Sequence, residues 1–378
     1  MNNFIAHNPT SLYFGKGVVS SLGKVVAGIG KKVLLVYGKG SIKKNDVYSD
    51  VIKQLQLIDA QVFEFDGIKS NPTVEDVDKA AIIGIENNID VIVAAGGGSV
   101  LDSAKVIAVC ISNGCKGWDV MKGSIEIRGA VPVIGILTLA ATGSEMNSGS
   151  VIQNHKTEEK IGFSHPFMFP KYSFLDPEYT ISVPANYTAY GIVDLIAHCL
   201  ENYFGNGDAT LADKFAIAII KEALEYGPKL MEDLGSFEYR SKIMWASTCA
   251  LNGTTAYGRR TGDWGVHSIG HILSLLYDIP HGASLSIVYP AWLKYHMDII
   301  PERISDLGKE VFGVATAEET VYRFESFFKK LGSPVRLSEF VPHCNKGDIL
   351  RLLIKNKAGG AFFHFNEEGF KYLLEEFI

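Results

Sequence analysis

The chain has 378 residues, too many for one ordinary core, so two domains are expected. Hydrophobic residues make up 47% and charged residues 21%, close to soluble globular averages, which excludes large-scale disorder. A formal net charge of -6 leaves no basic footprint for nucleic acid or an anionic membrane, and no stretch approaches a membrane span. The amino terminus lacks a basic region followed by an apolar core, so no signal peptide is expected. Five cysteines (Cys110, Cys115, Cys199, Cys249, Cys344) form no CxxC pair and read as apolar thiols in a reducing cytoplasm.

Along the chain, residues 1–30 read as a short extended segment, a Phe14-Gly15-Lys16-Gly17 turn and a brief helix. Residues 32–37 are a continuous apolar strand ended by Gly38-Lys39-Gly40; unbroken hydrophobicity means both faces are covered, as in a parallel sheet between helices. A helix over 46–58, a strand over 60–65, a helix over 74–87 and a strand over 90–95 follow. The turn Gly96-Gly97-Gly98-Ser99 then opens a helix from 100 to about 111, and 131–136 is again strand-like. This alternation predicts an α/β domain with a mostly parallel sheet. Residues 149–183 are less regular, with short β-like pieces at 150–153 and 172–175.

After Pro184 the pattern becomes helical: 189–203, 210–226, 239–257, 267–275, 285–295, 301–312, 318–331, 346–354 and 366–377. The boundary is therefore placed so that 1–183 forms the α/β domain and 184–378 an all-α domain. With no low-complexity linker, the cleft between them is the natural place for a site.

Gly96-Gly97-Gly98-Ser99 closes one strand and opens a helix. Glycines let backbone approach a ligand, and the exposed N–H groups and helix dipole favour phosphate oxygens, with the Ser99 hydroxyl a further donor. The motif is neither G-x-G-x-x-G nor Walker A. A second polar cluster, Thr138-Leu139-Ala140-Ala141-Thr142-Gly143-Ser144-Glu145, also follows a strand, and two such turns would border one dinucleotide crevice.

Asp194 and His198 are four apart in a helical stretch and share a face. His267 and His271 repeat that spacing, and His281 lies in the loop-like Ile279-Pro280-His281-Gly282. Burying one Asp and several His unpartnered costs roughly 2–7 kcal/mol per group, which a shared cation would offset. One carboxylate with imidazoles suits Fe(II) or Zn(II), and no CxxC accompanies them. Spacing leaves open which histidines coordinate and which remains free. Trp118, Asn147, Val151 and Trp264 lie near the motifs, but spacing does not say which of them would touch a substrate.

Several separated motifs together resemble the iron-containing (group III) alcohol dehydrogenase family, in its butanol dehydrogenase and broad aldehyde reductase branch. They are Asn8-Pro9-Thr10 with Phe14-Gly15-Lys16-Gly17, Gly96-Gly97-Gly98-Ser99 with Asp102 and Lys105, and Thr142-Gly143-Ser144-Glu145. Leu175-Asp176-Pro177, Gly191-x-x-Asp194-x-x-x-His198-x-x-Glu201, and Gly265-x-His267-x-x-x-His271 with His281-Gly282 complete the set. The resemblance implies a dehydroquinate synthase-like/Fe-alcohol dehydrogenase fold, one divalent metal on Asp194, His198, His267 and His281, and His271 left beside nicotinamide and substrate in a catalytic place. It also implies a cytoplasmic homodimer interconverting small aldehydes and primary alcohols. Cofactor contacts are expected at Gly38, Lys39, Ser41, Gly97, Gly98, Ser99, Asp102, Thr138 and Thr142. No acid follows the first strand to bind a ribose 2'-hydroxyl and repel a 2'-phosphate, and the resemblance implies NADP(H) over NAD(H). Two rivals are weighed: a polyol or sugar-phosphate enzyme of the same fold, and a non-catalytic nucleotide- or metal-binding protein.

Overall fold

The unbroken apolar runs 33–37, 91–96 and 133–137 bury both their faces, and the sheet they form follows from that. A computed structural model describes residues 1–378. Strands β1 (Ser11–Phe14), β2 (Lys32–Gly38), β3 (Gln61–Ile68), β4 (Val91–Gly96), β5 (Val133–Leu137) and, after a hairpin, β8 (Tyr172–Leu175) form one sheet ordered β1-β8-β5-β4-β2-β3. Every pairing in it is parallel. The hairpin strands β6 (Gly149–Asn154) and β7 (Glu159–Ser164) pair antiparallel as a separate ribbon.

Helices α1 (Leu22–Ala27), α2 (Val47–Gln56), α3 (Val74–Glu86), α4 (Gly98–Asn113) and α5 (Gly117–Met121) connect the strands. Successive side chains of a strand point to opposite faces, and the core divides accordingly. Leu34, Val36, Ile92 and Ala94 pack with Val77, Ala80 and Ala104 of α3 and α4. Val33, Leu35, Val91 and Val93 pack on the other side with Val26, Val47 and Val51 of α1 and α2. Helices on both faces of a parallel sheet define a doubly wound domain.

Two compact units are present, His7–Val183 and a second made of Met1–Ala6 with Pro184–Ile378. The first six residues group with the helical unit because Asn2 N–H donates to Gly258 O and Phe4 stacks on Tyr257. The helical unit holds α6 (Ala185–Tyr203), α7 (Thr210–Glu232), α8 (Phe237–Leu251), α9 (Gly265–Tyr277) and α10 (His281–His296). Helices α11 (Pro301–Phe312), α12 (Ala317–Lys330), α13 (Lys346–Lys355) and α14 (Glu367–Phe377) follow. Helix α6 is enclosed over most of its length, with Ile192, Val193, Leu195 and Ile196 fully buried. A helix apolar around its circumference belongs at the centre of a bundle, which is what its polar residues must tolerate. No helix is long and apolar enough to cross a membrane.

Several boundaries differ from the sequence reading. The ribbon strand β7 was not foreseen, since Glu-Lys-Ile-Gly-Phe-Ser carries little apolar signal. Residues 252–257, expected to extend a helix, turn instead: α8 stops at Leu251 and Gly253 takes φ 104°. His281 is not in a loop but is the first residue of α10, with Pro280 as its N-cap. Proline before a helix ends the preceding segment and is compatible with a helix start, so the Pro-His-Gly run read as a loop from sequence alone.

Candidate metal and cofactor sites

In the α/β unit the strand order reverses at β2, because β3 lies on one side of it and β4 on the other. Ligands of open parallel sheets bind beyond the carboxyl ends of strands at such a switch point. Tyr37 pairs with Ala95 and Gly96 with Leu137, so β2, β4 and β5 end side by side. Gly38, Gly97 and Thr138 therefore share one edge, and Thr138 N–H donates to Gly96 O at 3.0 Å.

Gly97 and Gly98 open α4, and the two polar turns expected to border one crevice do meet. A Cβ on Gly98 would fall 2.4 Å from Thr142 Oγ1 and Cγ2, and one on Gly97 would fall 3.2 Å from Leu139 Cβ. The frame beneath them is polar and buried. Lys105 is fully buried, and its ammonium donates to Ser144 Oγ (2.8 Å), Asn147 Oδ1 (3.1 Å) and Gly149 O (2.7 Å). Asp102 accepts from Ser144 Oγ at 2.5 Å and from Val151 N–H at 2.8 Å. Burial pushes the Lys105 pKa down to about 8 against the pull of Asp102 and Glu145, and burial pushes Asp102 up. Asp102 thus has both oxygens engaged within the protein, and Ser99 gives its hydroxyl to Ser70 O. Their side chains hold the turn in shape, while first-turn backbone N–H groups of a helix have no full set of partners within it. Asn147 and Val151 belong to this frame, and Trp118 packs in the nearby apolar core.

At the other end of the rim, Gly40 takes φ 92° and Ser41 starts a short 3-10 turn. Lys39, Ser41, Lys43 and Lys44 are exposed. Glu64 on β3 accepts from Tyr37 Oη at 2.6 Å and Tyr48 Oη at 2.9 Å.

In the helical unit, Asp194 and His198 project from one face of α6, as their spacing requires. Asp194 Oδ1 lies 3.5 Å from His198 Nε2, and 3.7 Å from both His267 Nε2 and His281 Nε2. Asp194, His267 and His281 present ligand atoms all within 4.8 Å of one another. The His198 and His267 rings stack at 4.9 Å, and the His267 and His281 centroids are 5.1 Å apart. Close backbone approach makes this convergence feasible: a Cβ on Gly282 would fall 2.1 Å from Tyr190 O on α6. Only glycine next to His281 lets α10 start so near the carboxylate.

The donor set fits a divalent cation. Asp194 Oδ1 and His267 Nε2 are buried without hydrogen-bond partners, an arrangement that costs free energy unless something positive is shared. Burial pushes Asp194 up, but the imidazoles, His198 first, hold it well below the usual carboxylate range. Burial lowers His198 to about 4. Burial also pulls His267 down, yet Asp194 and Glu201 together carry it up to about 9. His271 lies one turn beyond His267, with its ring 5.5 Å from that of His281; neither it nor His198 belongs to the group within 4.8 Å.

Two neighbours had no assigned role in the sequence. Trp264, at the N-cap of α9 with φ 65°, places its ring 5.3 Å from His267 and 6.2 Å from His198. Left-handed backbone in a bulky residue is strained and persists only where its surroundings hold it. Glu201, one turn beyond His198, reaches His267; its place in the family motif was the only signal.

A parallel-sheet dinucleotide fold with a switch-point turn, and a helical unit carrying an Asp/His cation site, define a metal- and nicotinamide-linked oxidoreductase. Models of the iron-containing alcohol dehydrogenase family match the chain, "Iron-containing alcohol dehydrogenase" over residues 9–177 and the family's C-terminal part over 188–345. The chain is 41% identical over 374 residues to a probable NADH-dependent butanol dehydrogenase 1 of Bacillus subtilis, covering 97% of this chain and 96% of the relative. It is 35% identical over 350 residues to an NADPH-dependent aldehyde reductase of Escherichia coli, covering 90% and 89%. The crystal structure of NADH-dependent butanol dehydrogenase A from Thermotoga maritima superposes with a TM-score of 0.94 at 37% identity, covering 100% and 99%. The chain belongs to the iron-containing alcohol dehydrogenase family, whose members are metal-dependent, NAD(P)H-linked alcohol dehydrogenases and aldehyde reductases.

Proposed function

We propose that this enzyme reduces small uncharged aldehydes to primary alcohols such as butanol, reversibly, with NADPH preferred over NADH. The observation that carries the reading is that His198, His267 and His281 bring Nε2 to 3.5, 3.7 and 3.7 Å from Asp194 Oδ1. These four would hold the cation, which when bound polarises the carbonyl oxygen, while the nicotinamide supplies the hydride. Asp194 offsets the cation's charge, and the burial of Asp194, His198 and His267 strengthens electrostatic stabilisation there. His271, buried beside His281, is proposed to pass a proton toward solvent, as an imidazole does near neutral pH. A His271→Ala variant with an unchanged pH–rate profile would reject that role.

The absence of lysine and arginine from 191–200 and 267–278 supports an uncharged substrate over a phosphorylated one. For the cofactor, Gly38, Lys39 and Ser41 are proposed to meet the 2'-phosphate, and Gly97, Gly98, Ser99, Thr138 and Thr142 to frame the pyrophosphate; Asp102 supports that turn. The segment 38–44 carries three lysines and no acid, and Glu64 beside it is held by two tyrosines. Relatives named for NADH and for NADPH both occur, so the preference is tested directly: comparable kcat/KM for the two cofactors would sink it. Cytoplasmic location and a homodimer are part of the same proposal. The decisive experiment is anaerobic purification with elemental analysis, then aldehyde reduction with Fe(II) or Zn(II) restored. Asp194→Ala should lose metal and activity together, and retained activity would defeat the site.

A further inference from the structure

We propose that Glu201 is the residue that positions His267 for metal binding, an inference that rests on the cation site above. Glu201 is buried (1% exposed) on the last turns of α6. Its Oε1 lies 2.8 Å from His267 Nδ1 and accepts the His267 backbone N–H at 2.9 Å. One carboxylate oxygen therefore grips a single residue at two points.

Three consequences follow from elementary chemistry. A carboxylate only accepts, so His267 Nδ1 must carry the hydrogen of that bond, and the lone pair of the neutral ring is left on Nε2. That is the nitrogen facing Asp194 Oδ1. His267 is the third residue of α9, and its backbone N–H belongs to the first-turn donors that have no partner within the helix. Glu201 satisfies that donor from another helix, and its negative charge sits at the positive end of the α9 dipole. The Asp263 N–H also donates to Glu201 O at 2.9 Å, so main chain joins α6 to the segment entering α9 at the same residue. The ring, its tautomer and its helix are thus fixed relative to α6, which carries Asp194 and His198. By contrast, His198 Nδ1 is buried without a hydrogen-bond partner, so the carboxylate grip distinguishes His267 from its neighbour.

The test uses metal-stripped full-length protein and Co(II), a probe with visible ligand-field absorption, titrated against a competing chelator. Glu201→Ala should bind Co(II) about 10- to 100-fold more weakly, the range usual for losing such a partner. Its saturated spectrum should also differ from that of the parent. Glu201→Gln keeps an accepting oxygen and should recover most of the loss. Parent affinity and spectrum in Glu201→Ala, or an equal loss in Glu201→Gln, would overturn the proposal. If Glu201→Ala does not fold, Glu201→Asp carries the test. It keeps the charge but withdraws the oxygen by one methylene, so unchanged Co(II) affinity would overturn the proposal and weakened affinity supports it. His267→Ala separates the two readings. If it binds Co(II) as tightly as the parent, the cation site itself falls and Glu201 with it. If it loses binding while Glu201→Ala does not, only the role of Glu201 falls.

Discussion

Replacing Gly98 by alanine probes the proposed cofactor turn at the point where its two halves meet. The backbone at Gly98 is helical and tolerates a side chain, so alanine gains about 0.4–1 kcal/mol from a less flexible unfolded chain. Against this, its methyl would sit 2.4 Å from Thr142 Oγ1 and Cγ2. Overpacking of that kind costs about 1–3 kcal/mol, so the clash outweighs the gain and net destabilisation of about 1–2 kcal/mol is expected. Relief requires Thr142 to turn away, which breaks its acceptance of the Ser144 N–H at 3.2 Å. Ser144 in turn is held by Asp102 and Lys105, so the strain spreads to the frame of the turn. Losing one charge-assisted hydrogen bond to a phosphate costs about 1.5–3 kcal/mol, or roughly 10- to 150-fold in Kd. The assay is a fluorescence titration of NADPH and NADH alongside urea denaturation. Gly98→Ala should weaken both cofactors while Co(II) affinity stays at the parent value. The added Thr142→Ala removes the two closest colliding atoms, leaving Thr142 Cβ 2.9 Å away, and should restore part of the stability. Parent-like cofactor affinity in a measurably destabilised Gly98→Ala would refute the phosphate role of this turn.

Lys105→Met keeps the stem and removes the ammonium, leaving Ser144, Asn147 and Gly149 without their shared donor. Losing a hydrogen bond from a charged donor costs about 1.5–3 kcal/mol, so urea denaturation should show a loss of at least that order, and a change below about 1 kcal/mol would contradict it. A pH effect is expected at His296, which is 2% exposed, stacks on Trp292 at 3.9 Å and lies against Phe363. Burial lowers its pKa to about 4, partly opposed by its bond to Trp292 O. A histidine depressed in the folded state contributes stability above its unfolded pKa near 6.5, and that contribution is lost as pH falls toward 4. About 2–3 kcal/mol should disappear between pH 7 and 4.5 in metal-stripped protein. His296→Phe should lose correspondingly less over that interval, and identical pH profiles for the two proteins would contradict the assignment.

The sequence by itself determined what depends on periodicity and local chemistry. Unbroken apolar runs such as Val33 to Val36 announced strands covered on both faces, and the i,i+4 spacing of Asp194 and His198 placed both side chains on one side of a helix. Proline and glycine marked the edges of Pro301–Phe312 and the turn into α4. What failed was weakly patterned or misleading locally: the polar ribbon strand Glu159–Ser164, and His281, whose Pro-His-Gly setting looks like a loop until a helix packs behind it.

Only the tertiary structure decided the rest, because contacts between distant segments leave no periodicity. Strand order is one such property: no local signal says that β2 lies between β3 and β4, yet that reversal puts Gly38, Gly97 and Thr138 on one edge. The same holds for the ammonium of Lys105, which reaches residues 39 to 44 positions away. It holds again for Asp194, whose partners His267 and His281 come from two other helices, drawn in by the missing side chain at Gly282. Glu201 illustrates the limit most directly. In sequence it is one more acid at a helix end, and only the packing of α9 against α6 brings its carboxylate to His267.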